Sequence, residues 1–161
     1  MTLLFPNYLK GLSRIIFYAT FLFGVIYLIF LEGEDDIEKI FTFTVPALLS
    51  SEIFGPMKTG LHWIEAMFLD ETISIFIVVF GILAGFSKEQ HEDELIDKMR
   101  NDSLRWSLFI NYGIILLTVL GVYGGIYLSF LFSQLFLILF LFNLIFDIKL
   151  LRHYKSARHE E

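Results

Sequence analysis

Three long uncharged stretches divide this chain, and their lengths set the architecture to expect. The longest runs from Trp106 to Phe146, 41 residues without Asp, Glu, Lys or Arg. As one helix it would measure ~60 Å, about twice the hydrocarbon thickness of a bilayer. It therefore has to fold back, and the place to do so is Gly121-Val122-Tyr123-Gly124-Gly125. Glycine there accepts the positive φ and close geometry of a tight turn. The expectation is a helical hairpin with spans at about 104–121 and 126–147. A second uncharged run, Ile15 to Leu31, follows Lys10 and Arg14 and predicts a span at about 12–31. The sequence after it, Leu31-Glu32-Gly33-Glu34-Asp35-Asp36, offers no small-x-small cleavage site, so the run reads as a retained helix rather than a signal peptide. The third run, Thr72 to Phe86, is shorter than the ~20 residues a span usually needs. Extension at both ends gives a span at about 71–87, with Asp70 as its N-cap and Ser87 as its end.

The polar positions between these runs predict orientation. Ten of the twelve Lys and Arg residues flank them on one side: Lys10 and Arg14, then Lys88, Lys98, Arg100 and Arg105, then Lys149, Arg152, Lys155 and Arg158. Only Lys39 and Lys58 fall on the other side, and the glycine turn has no basic residue. The positive-inside rule makes the basic side cytoplasmic, with both termini there. The expected fold class is an all-α integral membrane protein, a four-helix bundle.

The two longer connections differ in character. In the outer loop, 32–70, Ile40-Phe41-Thr42-Phe43-Thr44-Val45 has the β-branched and aromatic content of a short strand, which Pro46 should end. Gly55-Pro56 and Thr59-Gly60 mark turns, and residues 62–69 are apolar enough to lie among headgroups with Trp63 as anchor. The loop reads as a small cap on the bundle. The inner segment begins with Ser87-Lys88-Glu89-Gln90, which matches a capping box and predicts an amphipathic helix over 88–102. Its apolar face would be Leu95, Ile96, Met99, Ser103 and Trp106, and Glu94–Lys98 and Asp97–Arg100 would pair along it. Glu89, Glu92, Asp93, Glu94 and Asp97 form the candidate docking surface for a basic partner.

Composition narrows the chemistry. The 161 residues are 56% hydrophobic and 17% aromatic, with mean hydropathy +0.67, too apolar for an ordinary soluble domain. There is no Cys, which excludes disulfides and thiolate-ligated metals. A formal charge of −6 argues against direct nucleic-acid binding. His91-Glu92-Asp93-Glu94 could offer metal ligands, but consecutive helical residues point around the axis and do not converge. No nucleophile motif, phosphate loop or paired intramembrane carboxylates appear. The expectation is a non-enzyme with no cofactor and no metal.

Polar and small residues inside the spans are the remaining candidates. Asn143 and Asp147 lie one turn apart, and folding at 121–125 sets Asp147 within reach of Arg105 or Arg100. Asn111 and Gln134 sit nearer mid-span. These five residues (Arg105, Asn111, Gln134, Asn143 and Asp147) read as a helix-pairing polar clamp or as the lining of an ion path. Gly81 with Gly85, and Thr20 with Gly24, are small-xxx-small pairs suited to close helix packing, within one chain or between copies.

One segment carries a resemblance. Residues 86–96 (FSKEQHEDELI), with Met99-Arg100, Ser103-Leu104-Arg105-Trp106 and Asn111-Tyr112, are similar to an uncharacterised family of small bacterial integral membrane proteins. Phe5-Pro6-Asn7-Tyr8 also resembles that group. A more distant likeness links the acidic segment to predicted membrane proteins encoded beside helix-turn-helix regulators, which implies a regulatory partner. The functional expectation is an interaction or regulatory protein whose inner helix docks a cytoplasmic partner. The alternative is a small oligomeric channel or transporter subunit, with Asn111, Gln134 and Asn143 along its pore.

Overall fold

The computed structural model describes residues 4–31, 41–50, 58–90 and 92–158. Lys39, His91, His159 and the turn expected at Gly55-Pro56 lie outside them. In chain order the elements are α1 (Tyr8–Ile26), ending in a π-helical turn (Tyr27–Leu31), then β1 (Thr42–Ser50) and β2 (Lys58–Met67). Three helices follow: α2 (Phe68–Phe86), α3 (Glu94–Gly121) and α4 (Gly125–Arg158). Among the described residues four helices are long and apolar enough to cross a membrane, as the uncharged runs lead one to expect.

The glycine turn forms where expected. Val122 closes α3 with its N–H on the Thr118 carbonyl, Gly124 takes φ +81°, and α4 starts at Gly125. The two long helices pack antiparallel along the resulting hairpin, while α1 pairs with α2 and α2 also packs on α4. At 28 and 34 residues, α3 and α4 are longer than a bilayer core is thick, by ~10 Å and ~20 Å. The excess of both lies at the charged end, where α1 begins and α2 stops.

Tight contacts between α2 and its neighbours explain the small residues. A Cβ on Gly81 would stand 2.8 Å from the Phe17 ring, and one on Gly85 would overlap Phe142. The motif thus seats two aromatic rings, one from α1 and one from α4. Gly24 lies against Ile73 and Ile77 of α2 in the same way, beside half-buried Thr20. Phe17, Phe142 and Phe146 are fully buried, and Phe21 stacks on Phe140 at 4.3 Å. Phenylalanine is therefore interior filling at the helix crossings, while others such as Phe109 and Phe132 remain exposed.

Four local expectations need correction. The strand does not end at Pro46: β1 runs through it to Ser50 and pairs antiparallel with β2, Pro46 opposite Trp63. Proline is tolerated there because both strands of this two-stranded sheet are edges, each with one side free of a neighbouring strand. Residues 62–67 are accordingly strand, leading without a linker into α2. Asp70 is not the N-cap of α2, since the helix already begins at Phe68; with Glu71 it sits in the first turn, favourably placed for the helix dipole. Finally, there is no capping box at Ser87 and no separate helix over 88–102. Ser87 donates its hydroxyl to the Leu83 carbonyl and closes α2. The next helix starts at Glu94, capped by Asp93, whose side chain accepts the Ile96 N–H at 2.7 Å. It then continues unbroken to Gly121.

Candidate functional site: the charged end of the bundle

Four helices and one linker converge at the charged end. The linker that follows α2 crosses the start of α1 at Ser87 and Lys88, held by two backbone bonds: Phe5 N–H to the Phe86 carbonyl and Lys88 N–H to the Phe5 carbonyl, each 2.9 Å. Lys10 of α1, 5% exposed, donates to the Glu89 carboxylate of the linker. One turn further, Arg14 pairs with Asp147 of α4 at 2.8 Å. After another turn the Tyr18 hydroxyl donates to the other Asp147 oxygen at 2.9 Å. Lys10, Arg14 and Tyr18 stand four residues apart, so they share one stripe of α1.

A second bridge fixes α3. Arg100, 4% exposed, donates twice to Glu92 (2.7 and 3.1 Å), and Asp97 lies 3.6 Å from the same guanidinium. Glu92 in turn accepts the Glu89 N–H at 2.8 Å, so the linker folds onto itself between the two cations. Burial pushes the Glu92 carboxyl up, but the Arg100 bonds, the Glu89 N–H and the Arg100 and Lys10 charges outweigh it and hold Glu92 below its ordinary value. Phe146 of α4, fully buried, lies between the cations: Lys10 Nζ is 4.7 Å and the Arg100 guanidinium 5.2 Å from its ring centroid. The aromatic faces attract both charges where water is scarce. Beside this cluster is an open groove of about 700 Å³, lined by Asn7, Tyr8, Lys10, Arg14, Glu89 and Tyr154 among others.

The expected site residues divide accordingly. Asp147 does make a clamp, but with Arg14 and Tyr18 rather than with Arg105. Arg105 is three-quarters exposed and reaches only Asp102, at 3.9 Å. Antiparallel depth placed Asp147 beside α3, whereas this side of α4 faces α1. Asn143 binds across the bundle, donating to the Gly81 carbonyl at 3.0 Å and to Leu139 of its own helix. Gln134 donates to Thr118 of α3 at 2.7 Å. Asn111 is buried on α3 with no described hydrogen bond. Asn111 and Gln134 line one groove between α3 and α4; Asn143 does not. Of the five docking carboxylates, Glu89 and Glu92 are tied to cations, Asp97 lies 3.6 Å from Arg100 and Asp93 caps α3, which leaves Glu94 without such a role among the described residues. The packed face of α3 is Ile96, Arg100, Ser103, Ser107 and Asn111, while Leu95 and Trp106, expected on it, are exposed. Among the described residues no Glu94–Lys98 pair forms and no group of side chains is arranged to hold a metal.

Lys10, Arg14, Tyr18 and Phe146 were not singled out as a unit by sequence reading. Their signal was available: three polar groups at four-residue spacing entering an apolar helix need partners at that depth, and Asp147 is the acidic residue there. Comparison with protein-family models, with curated proteins and with solved structures returns no match for this chain.

Proposed function

We propose that this protein is a four-span component of the bacterial inner membrane, not an enzyme, in which the linker and first turns of α3 form a cytoplasmic docking element for a basic partner. The observation that carries the reading is the competition built into the charged end. Glu89 and Glu92 already have internal cations, Lys10 and Arg100; Glu94 faces outward on the same element, and Asp97, 38% exposed, is held by Arg100 only at 3.6 Å. A basic partner first meets the outer carboxylates. Drawing further on Glu92 or Glu89 then loosens the linker from α1 and α3. Docking and the position of the helices are thereby coupled, which suits a regulatory component. The distribution of ten basic residues at this end supports its cytoplasmic placement. The family resemblance and its regulatory implication agree with this reading. A pore within one chain draws less support, because Asn143 is satisfied by α2 and stands apart from the Asn111–Gln134 groove.

The test is affinity purification of the full chain from its native membranes, wild type against a Glu94→Lys/Asp97→Asn variant. Exposed charges contribute little to folding but much to association with an oppositely charged partner. The expected result is a basic co-purifying protein that is lost from the variant and released from wild type by salt, while expression and membrane fraction stay unchanged. An identical set of co-purified proteins from both forms would sink the docking reading.

A further inference from the structure

The outer half of the α3–α4 hairpin holds polar groups that one copy of the chain leaves incomplete. Asn111 and Gln134 are each at least nine-tenths buried, yet the Asn111 Oδ1 and Gln134 Oε1 atoms have no hydrogen-bond partner. Both amides line an open groove of about 530 Å³ whose other walls are apolar, including Ile115, Leu131 and Ile138. At the rim of the same groove stands Tyr112, 61% exposed, its hydroxyl without a described partner. Tyr112 lies ~10 Å along the helix from Arg105 and ~14 Å from Gly121, well inside the uncharged run. Tyrosine favours the headgroup boundary, and at this depth lipid tails offer its hydroxyl nothing.

We infer that a second copy of this chain occupies the α3–α4 groove, with Tyr112 of each copy inserted against Asn111 of the other. The argument for a second copy over other occupants is depth. Two membrane proteins of one topology pair about a two-fold axis along the membrane normal, so each residue faces its partner's residues at its own depth. Asn111 and Tyr112 are neighbours in sequence. Such an axis therefore brings a phenol donor to an amide acceptor automatically, once on each side. Asn111 needs only a turn about its side-chain torsions to present its oxygen to the groove, because its amide makes no described bond to give up. The exposed apolar residues one turn either side, Phe109 and Leu116, would be covered in the same contact. The inference rests on the proposed membrane insertion.

The chain has no Cys, so single cysteines report proximity cleanly. Phe109→Cys and Leu116→Cys variants of the full chain, in liposomes at several protein-to-lipid ratios, should form disulfide-linked dimers under mild oxidation. Leu22→Cys, exposed on α1, should not. Tyr112→Phe should weaken dimerisation, read by energy transfer between labelled copies, about ninefold, from two hydrogen bonds at roughly threefold each. Asn111→Leu, which removes the acceptor and keeps the groove apolar, should weaken it similarly. The inference is overturned if the chain stays monomeric at all ratios. It is also overturned if Leu22→Cys cross-links in place of Phe109→Cys and Leu116→Cys, or if Tyr112→Phe dimerises as tightly as wild type. Carbonate extraction is scored separately: release of the chain from membranes would remove the insertion reading itself, whereas a retained monomer removes only the dimer.

Discussion

The two ends of the bundle bury polar groups by different means. At the charged end Lys10, Arg14 and Arg100 each meet a carboxylate from another part of the chain, and Phe146 fills the space between two of them. In the half of α3 and α4 nearer the glycine turn, the outer half in the proposed topology, Gln134 has one bond and a spare oxygen, and Asn111 has none among the described residues. The first arrangement pairs each of these cations with a carboxylate within one chain and defines how α1, α3 and α4 sit together, although among the described residues Arg14 Nη2 and Arg100 Nε keep no hydrogen-bond partner. The second holds its two helices weakly in register and leaves part of its bonding capacity for something outside. A polar group in an apolar setting is costly only when unsatisfied, so the charged end contributes rigidity and the outer half retains capacity to associate.

The comparison is broken most sharply at Asp147. Replacing it by Leu strands Arg14 and the Tyr18 hydroxyl, of which Arg14 is about one-third exposed. Removing one partner of a partly buried pair leaves an uncompensated charge, so a loss of about 2 kcal/mol is expected. Asp102→Leu, at an exposed pair with Arg105, should change little. Thermal unfolding of both variants in detergent measures the difference. Equal small shifts would mean that the charged end is no more fixed than an exposed helix face.

Acid sharpens the same contrast with a smaller effect. The Glu92 carboxyl is held below its ordinary value in the folded chain, so it binds a proton more readily when unfolded. Its contribution is therefore present above the unfolded value, 4.5, and is lost as pH falls through the lower folded one. Glu92→Gln removes that titration. Wild type should lose more stability than Glu92→Gln as pH drops through this window, and the two should run parallel at neutral pH. Parallel curves throughout would mean that the Arg100–Glu92 pair does not bias folding.

How much of this was legible depended on the range of the forces involved. The four long helices follow from absence of charge over whole segments, a property no distant contact can undo, and the turn at Gly124 follows from its local geometry. Gly81 and Gly85 were readable as packing positions, though not that Phe17 and Phe142 would fill them. The start of α3 was misread because Ser87-Lys88-Glu89-Gln90 and Asp93 are both acceptable local starts. The choice falls to Lys10 and Arg100, which capture Glu89 and Glu92 and so favour the start at Asp93 over the one at Ser87. Asp147 was given a partner from its hairpin neighbour because sequence supplies depth but not azimuth. Which side of α4 faces α1 is decided by packing at Phe140, Phe142 and Phe146. Pro46 was taken as a strand end because nothing local says that β1 and β2 make a sheet of edges only.

The smallest expected effect tests the outer half. Thr118→Val keeps the shape of the side chain and removes the oxygen that accepts from Gln134. Bonds of this kind between membrane helices contribute ~0.6 kcal/mol on average, because the separated helices also find partners. The unfolding shift in detergent should therefore be several times smaller than for Asp147→Leu. The loss of that acceptor should also have a second consequence absent from the charged end. Gln134 then has its whole amide free at the groove wall, beside Asn111, so association between copies in liposomes should hold or strengthen while the single chain becomes slightly less stable. A change at one end of the molecule would thus separate folding from pairing. If Thr118→Val instead costs as much as Asp147→Leu, the outer half is as firmly closed as the charged end and the contrast between them disappears.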